Sequence, residues 1–527
     1  MGVLSYLDYG VVGLYLAATM FIGVWVSRYI QTGREFFLAG RTLPWWAVGV
    51  SLVATDIGGT DIIGVGGTAY RYGMAVGNFE WIGCVPAMIV AAFVFIPHFW
   101  RCGVTTIPEY LEKRFSVQVR TAVALCWLVF MACNLGVMLL ASAKLMEALA
   151  GWPANVSILL IAVLVGFYTF SGGLAAVVYT DVLQGIIMIG GCGLVVVIGL
   201  WQVGGIEGLR EKVTTVVAAR QAEAPPSDTT GPSPAPRVEH FDLVLPVDTK
   251  SPFPWTGILF GLALVTSPAY WIGNQAIVQR ALGCRSEFEA KAGYVWGALL
   301  KNVIPVIIVV PGLIAIAKFP ELKDPDLAVP QLIGSIMPSG AKGVFLAAFM
   351  AALMSSVDSY LNSATTIFTN DIYLRFMRPT ADERRLLFIG RTVTVLLTLW
   401  GIFFAFQLSQ ASAGIYAIFQ TLMSFFNGPA FAVLLAGLMT RWVTSTGAFA
   451  GFIAGVATAV TLYAITLLGP GFGWRPLFQI SEPFLYYSIW AFLVSLATMA
   501  IGSYFSPADA SEKQAFCIFG PAGRTAE

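Results

Sequence analysis

Charge is what this chain has least of. Of its 527 residues only 11% are Asp, Glu, Lys or Arg, against about 25% in an ordinary soluble domain. The few charges balance, 30 basic against 29 acidic, which excludes a basic nucleic-acid binder and an acidic solvating chain. Histidine is nearly missing, with only His98 and His240, so no histidine-rich metal or catalytic constellation can be assembled, and the chain is not expected to be an enzyme. No Gly-Lys-Ser/Thr phosphate cradle occurs, which argues against direct drive by a nucleotide. The seven cysteines lack metal-ligand spacing and read as small buried hydrophobes.

What the chain has is apolar surface: 57% hydrophobic residues and a mean hydropathy of +0.78. This is a polytopic membrane protein. A helix needs about 20 apolar residues to cross a bilayer, and about thirteen such stretches can be read. They run roughly over 7–27, 44–70, 76–99, 121–149, 154–172, 177–201, 254–277, 292–317, 329–370, 388–408, 413–439, 444–468 and 484–505. The first has Asp8 near its start and no basic segment before it, so it is not expected to be a cleaved signal peptide.

Basic residues fall in alternate loops. One set holds Arg28, Arg34 and Arg41; Arg101, Lys113, Arg114 and Arg120; Arg280, Arg285 and Lys291; Arg375, Arg378, Arg384, Arg385 and Arg391; and Arg441. The opposite loops carry little beyond Arg71, Lys318, Lys323 and Arg475. The positive-inside rule makes the first set cytoplasmic, the N-terminus external and the C-terminus internal, in the plasma membrane. The long loop 202–253 then faces outward. Its Pro-rich, polar composition reads as a mobile surface segment, with His240 solvated.

Ionisable residues within hydrocarbon cost about 2.5–3.5 kcal/mol at mid-span. Asp56, Asp61, Glu80, Asp181, Lys301 and Asp358 nevertheless lie well inside five of the spans. Structural pairing is the bland explanation, and it is preferred for Lys144 and Glu147 near a span end. Six charges gathered in one part of a bundle point instead to a wet path or solute cavity. Glu80 and Lys301 have opposite sign and can pair. Two spans are also interrupted: the second by Asp-Ile-Gly-Gly-Thr at 56–60, the seventh by Thr-Ser-Pro-Ala-Tyr-Trp at 266–271. Broken helices are tolerated in lipid only beside protein or a wet cavity. With the first span set aside, these are first and sixth of the next ten, the pattern of an inverted-repeat transporter. Ser355, Ser356 and Ser359 sit close along one span, where their hydroxyls could join freed carbonyls around a small cation, or bond helix to helix.

Several stretches resemble the sodium/solute symporter family. They include Gly172 to Gln184 (Gly-Gly-Leu-Ala-Ala-Val-Val-Tyr-Thr-Asp-Val-Leu-Gln), Phe37 to Trp46, Thr106 to Phe115 and Ser355 to Tyr373. Phe79-Glu80-Trp81, Phe253 to Gly261, Tyr270-Trp271 and Gln279-Arg280 look like the bacterial sodium–glucose branch. The resemblance implies an all-α polytopic fold. A five-plus-five inverted repeat of the leucine-transporter type would fill 44–440, after a leading helix and linker in 1–43 and before peripheral helices and a tail in 441–527. It implies a sodium-coupled symporter importing a small polar solute by alternating access. Sodium would be held by carbonyls of Ala54, Ile57 and Ala352 and hydroxyls of Ser355 and Ser356. The solute, a sugar or polyol, would meet Glu80, Tyr270, Trp271, Lys301 and Gln420, all matching the family. Three positions depart from it: Asp56 stands where Asn is usual, Asp61 where Gln or His is usual, and Ser267 where Asn or Thr is usual. The two acids leave open an amino sugar or another cationic solute. Asp181, Asp358 and Ser359 are placed at a second sodium site or exit path, with proton carriage by Asp358 as the alternative. A proton-coupled symporter, or a substrate-gated channel or sensor on the same fold, would fit the same residues.

Overall fold

The computed structural model describes residues 4–223, 239–408, 415–474 and 477–518 except 479, 481 and 482. The proline-rich part of the 202–253 loop, Arg475 and the end of the tail lie outside them. Among the described residues the chain is helical, with only two isolated bridges, Leu43 to Cys284 and Leu245 to Pro254.

Ten helices are long and apolar enough to span a membrane. They are α1 (Tyr6–Ser27), α4 (Met74–Arg101), α5 (Val117–Ala150), α6 (Ala154–Val203), α10 (Glu287–Lys318), α11 (Ala341–Met377), α12 (Glu383–Leu408), α13 (Ile415–Met439), α14 (Ser445–Leu468) and α15 (Phe484–Tyr504). The pair α2 (Trp45–Asp56) and α3 (Gly59–Tyr72) makes one further span, bent by 54°. The apolar α8 (Gly257–Gly273) leads into the short α9 (Gln275–Leu282). The count of thirteen is recovered only because α6 serves as two of the expected spans. It is one helical run of 50 residues, about 75 Å at 1.5 Å per residue, too long for a bilayer core of about 30 Å. The run turns at Gly173, where φ is 54°. A side chain there would also lie 2.4 Å from the Phe36 carbonyl, so both backbone and packing require glycine.

The first break falls where the sequence places it. Ile57 and Gly58 are extended between α2 and α3. The second does not. Residues 266–271 stay helical, and the chain opens at Asn274, whose side chain caps α9 by accepting from the Ala276 amide at 2.9 Å. Pro268 is absorbed because the helix before it, Gly257–Thr266, widens to π-type hydrogen bonding. A widened turn leaves room for the proline ring and its missing donor. The same device precedes Pro86 and Pro97 in α4, at Phe79–Cys84 and Ala91–Phe95.

The loops sort to two ends as the charge pattern requires. At one end Arg101 pairs with Glu287, Glu112 pairs with both Arg120 and Arg375, and the Arg34 amide donates to Glu383. At the other, Tyr70 donates to the Phe319 carbonyl and Lys318 to Gln202. The 202–253 loop is more structured, over its described residues, than its composition suggests. It begins with α7 (Gly205–Glu223), Asn78 donates to the Leu243 carbonyl at 2.6 Å, and His240 lies half-buried against Gly73 rather than in solvent. Lys144 pairs with Asp326 at 3.3 Å, the structural role expected of it.

Burial ranks the helices. The apolar stretch of α11 is 94% buried, against 28% in α1 and 22% in α14. The most enclosed helix is therefore the one carrying Ser355, Ser356, Asp358 and Ser359, so its hydroxyls and carboxylate face protein rather than lipid.

Candidate functional site

The unwound link between α2 and α3 meets the middle of α11. The Ser355 hydroxyl donates to the Ala54 carbonyl at 2.7 Å and to that of Ala352 at 2.9 Å. Ser356 donates to the Thr55 carbonyl at 2.9 Å and to Ala352 at 3.1 Å. Gly58 packs so closely that an added Cβ would lie 2.8 Å from the Ser356 hydroxyl. Ile57 is fully buried at the break. Of the five residues expected around a small cation, Ala54, Ala352, Ser355 and Ser356 are joined by hydrogen bonds, and Ile57 lies at the adjoining break. The Thr55 carbonyl lies in the same contact, as an acceptor from Ser356. Hard oxygens of this kind suit a hard cation, and the break supplies carbonyls that a regular helix would keep in its own ladder.

Beside this link lies a small cavity. Asp56 and Asp61 line it from the break, Glu80 and Phe79 from α4, Thr266, Ser267, Tyr270 and Trp271 from α8, and Phe419, Gln420 and Met423 from α13. Seven of the eight expected solute residues are therefore on its wall. The eighth, Lys301, is fully buried and reaches in from α10, donating to both Asp56 and Glu80. The Glu80 pairing was legible; the bridge to Asp56 was not. The ammonium also lies 5.8 Å from the centre of the Trp271 ring. Asp56, Glu80 and Cys84 are near enough together to chelate a metal. With Lys301 already on both carboxylates, like-charge repulsion disfavours a metal cation there. Asp61 accepts from the Gly58 amide at 2.8 Å, capping the first turn of α3.

One turn before the break, α2 carries a second charged cluster. Asp181 of α6 accepts from Ser51 at 2.5 Å, and Arg280 of α9 pairs with it at 3.1 Å. Arg280 also donates to Thr55 and Ser359. The sequence reading counted Arg280 among loop cations; it is fully buried. Its neighbours Ile277, Val278, Ala281 and Leu282 are all apolar and buried, a context that counting basic residues overlooks. The consequence falls on the expected second sodium site. Asp181 and Ser359 come together, but around a guanidinium, whose charge opposes a further cation. Asp358 receives the Tyr168 hydroxyl at 2.6 Å and that of Ser359 at 3.1 Å.

Comparison with known proteins agrees with this architecture. The model of the sodium:solute symporter family matches residues 36–455. A sodium/glucose cotransporter of Vibrio parahaemolyticus is 33% identical, covering 89% of this chain and 87% of that protein. The human sodium/myo-inositol cotransporter 2 is 32% identical, covering 96% and 77%. Among solved structures, a Na+-coupled sialic acid symporter in its substrate-bound outward-open state superposes with a TM-score of 0.79 at 23% identity, covering 96% of this chain and 99% of that one. That likeness carries the fold.

Proposed function

The chain belongs to the sodium:solute symporter family, and we propose that it is the sodium-driven importer of a polyhydroxy solute, a sugar or polyol, rather than an enzyme. The supporting observation is one juxtaposition. The break between α2 and α3 offers carbonyls to Ser355 and Ser356 on one side and Asp56 and Asp61 to the cavity on the other.

In this reading sodium binds among the oxygens of Ala54, Ile57, Ala352, Ser355 and Ser356. It would tie the broken helix to α11 and so fix the position of both acids. Coupling follows if sodium and solute favour the same arrangement of the break; a ligand indifferent to that arrangement shifts nothing. A potential of about 100 mV adds about 2.3 kcal/mol per charge carried fully across. Gln420 and Ser267 would bond solute hydroxyls, and Tyr270 and Trp271 would stack beneath them. α2 starts at the arginine-rich end, where the Leu43 amide donates to the Gly283 carbonyl. Asp181, facing Ser51, therefore lies on the way from the sodium residues to that end, which we assign to the cytoplasm, with the N-terminus outside. We read Asp181 as lining the exit path rather than holding a second sodium.

Reconstituted protein should accumulate a hexose or inositol against its gradient when sodium is supplied outside. Equal uptake in sodium-free buffer, whatever the pH, would refute sodium coupling. Currents without accumulation would identify a channel instead.

A further inference from the structure

The cavity wall carries more carboxyl groups than cations. Asp56, Asp61 and Glu80 bring three carboxylates to its wall, and Lys301 is the one cation among the described residues that pairs with any of them. Lys301 is committed to Asp56 and Glu80. No lysine or arginine among the described residues pairs with Asp61, which has only the Gly58 amide and, at 3.4 Å, the Thr60 hydroxyl. A carboxyl enclosed with no cation beside it either takes up a proton or draws a cation to it.

A second observation points to a ligand independently. The Thr266 hydroxyl and the Trp271 indole N–H are buried and have no hydrogen-bond partner, and both residues line the same cavity. Buried polar groups are otherwise nearly always paired. The indole can only donate, so its partner must be an acceptor such as a hydroxyl oxygen. The wall is also aromatic, and ring faces attract cations.

Resting on the solute-site reading above, we infer that the preferred solute is a sugar or polyol bearing a protonated amine. Its ammonium meets Asp61 in a charge-assisted hydrogen bond, and its hydroxyls meet Thr266, Trp271 and Gln420. An ammonium gains what a hydroxyl cannot, because it donates and neutralises together. Asp61 is the discriminating residue.

The test uses the full chain in proteoliposomes under an inward sodium gradient, with glucose, 2-amino-2-deoxyglucose and its N-acetyl derivative as probes. The amine should be taken up at about tenfold lower concentration than glucose, the usual advantage of a hydrogen bond to a charged group. Acetylation should remove that advantage. Asp61→Asn keeps an acceptor for the Gly58 amide and should reverse the preference while leaving the sodium requirement intact. Glucose taken up as well as the amine by the unmodified protein overturns the inference and leaves the symport reading standing. An unchanged preference in Asp61→Asn does the same. Sodium-dependent uptake of none of the three overturns both. The comparison of probes on the unmodified protein stands even if the variant fails to fold.

Discussion

Two buried charge clusters flank the same helix, and they are built to opposite ends. Around Arg280 the groups are sealed: Asp181 and Arg280 are fully buried, and hydroxyls of Ser51, Thr55 and Ser359 fill the guanidinium's hydrogen-bonding positions. Around Lys301 the ammonium is equally buried, but its acids border a cavity and outnumber it. α2 contributes to both, Ser51 and Thr55 to the first and the next residue, Asp56, to the second. A sealed cluster whose acid and base pair one to one resists change, whereas an open one with more acids than bases awaits a partner. The helix that breaks is thus clamped on one side and responsive on the other, as an element that must rock between two discrete positions requires.

Breaking the clamp should have the largest effect. Arg280→Met strands Asp181 in a fully buried site and should cost about 3–5 kcal/mol, as for other buried pairs that lose one partner. Thermal unfolding in detergent would show it, and Asp181→Asn in the same chain should restore part of the loss. If Arg280→Met unfolds normally, the cluster is not the clamp described here. Lys301→Met removes a cation from the open cluster. Asp56 and Glu80 border the cavity, so the loss should be smaller, about 1–3 kcal/mol, and solute uptake should disappear with it. A larger loss than for Arg280→Met would reverse the contrast between the clusters.

Ser356→Ala touches the joint between them. It deletes one oxygen from the sodium set and the bond to the Thr55 carbonyl. The sodium concentration for half-maximal uptake should rise about tenfold, roughly the worth of one hydrogen bond to a charge. Folding and membrane insertion should survive. Unaltered sodium dependence would remove Ser356 from the site.

Much of this was legible from residue chemistry. Charges inside apolar runs marked both clusters, and the glycines at 58 and 59 marked the first break, because lipid penalises each feature unless it is used. What was hidden depended on depth and register. Arg280 follows a break, and a basic residue at a helix end looks like loop until its apolar neighbours are weighed. Pro268 looked like a breaker, yet a widened helical turn accommodates it and Asn274 opens the chain instead. Gly173 turns α6 without ending it, so two spans became one run. The resemblance supplied the expected cation residues by position; the bond from Ser356 to the Thr55 carbonyl needed coordinates.

The weakest expected effect lies where water screens. Glu112, in the short helix Ile107–Arg114 at the arginine-rich end, pairs with Arg120 and Arg375. Partial burial pushes its carboxyl upward, but the two guanidinium groups outweigh this and hold it below the usual glutamate range. A carboxyl lowered on folding contributes stability that is complete above its unfolded value and is lost as the pH falls through its folded one. Glu112→Gln should therefore cost about 1 kcal/mol at neutral pH, near the upper end for pairs that water reaches, since Glu112 is only partly exposed. The gap from the unmodified protein should close in acid, below the usual glutamate range, and should shrink at neutral pH as salt rises. Arg280→Met should show no such salt dependence, because a sealed pair is shielded from ions in solution. A salt-dependent loss there and a salt-independent one at Glu112 would mean that the two ends of the charge distribution had been assigned the wrong way round.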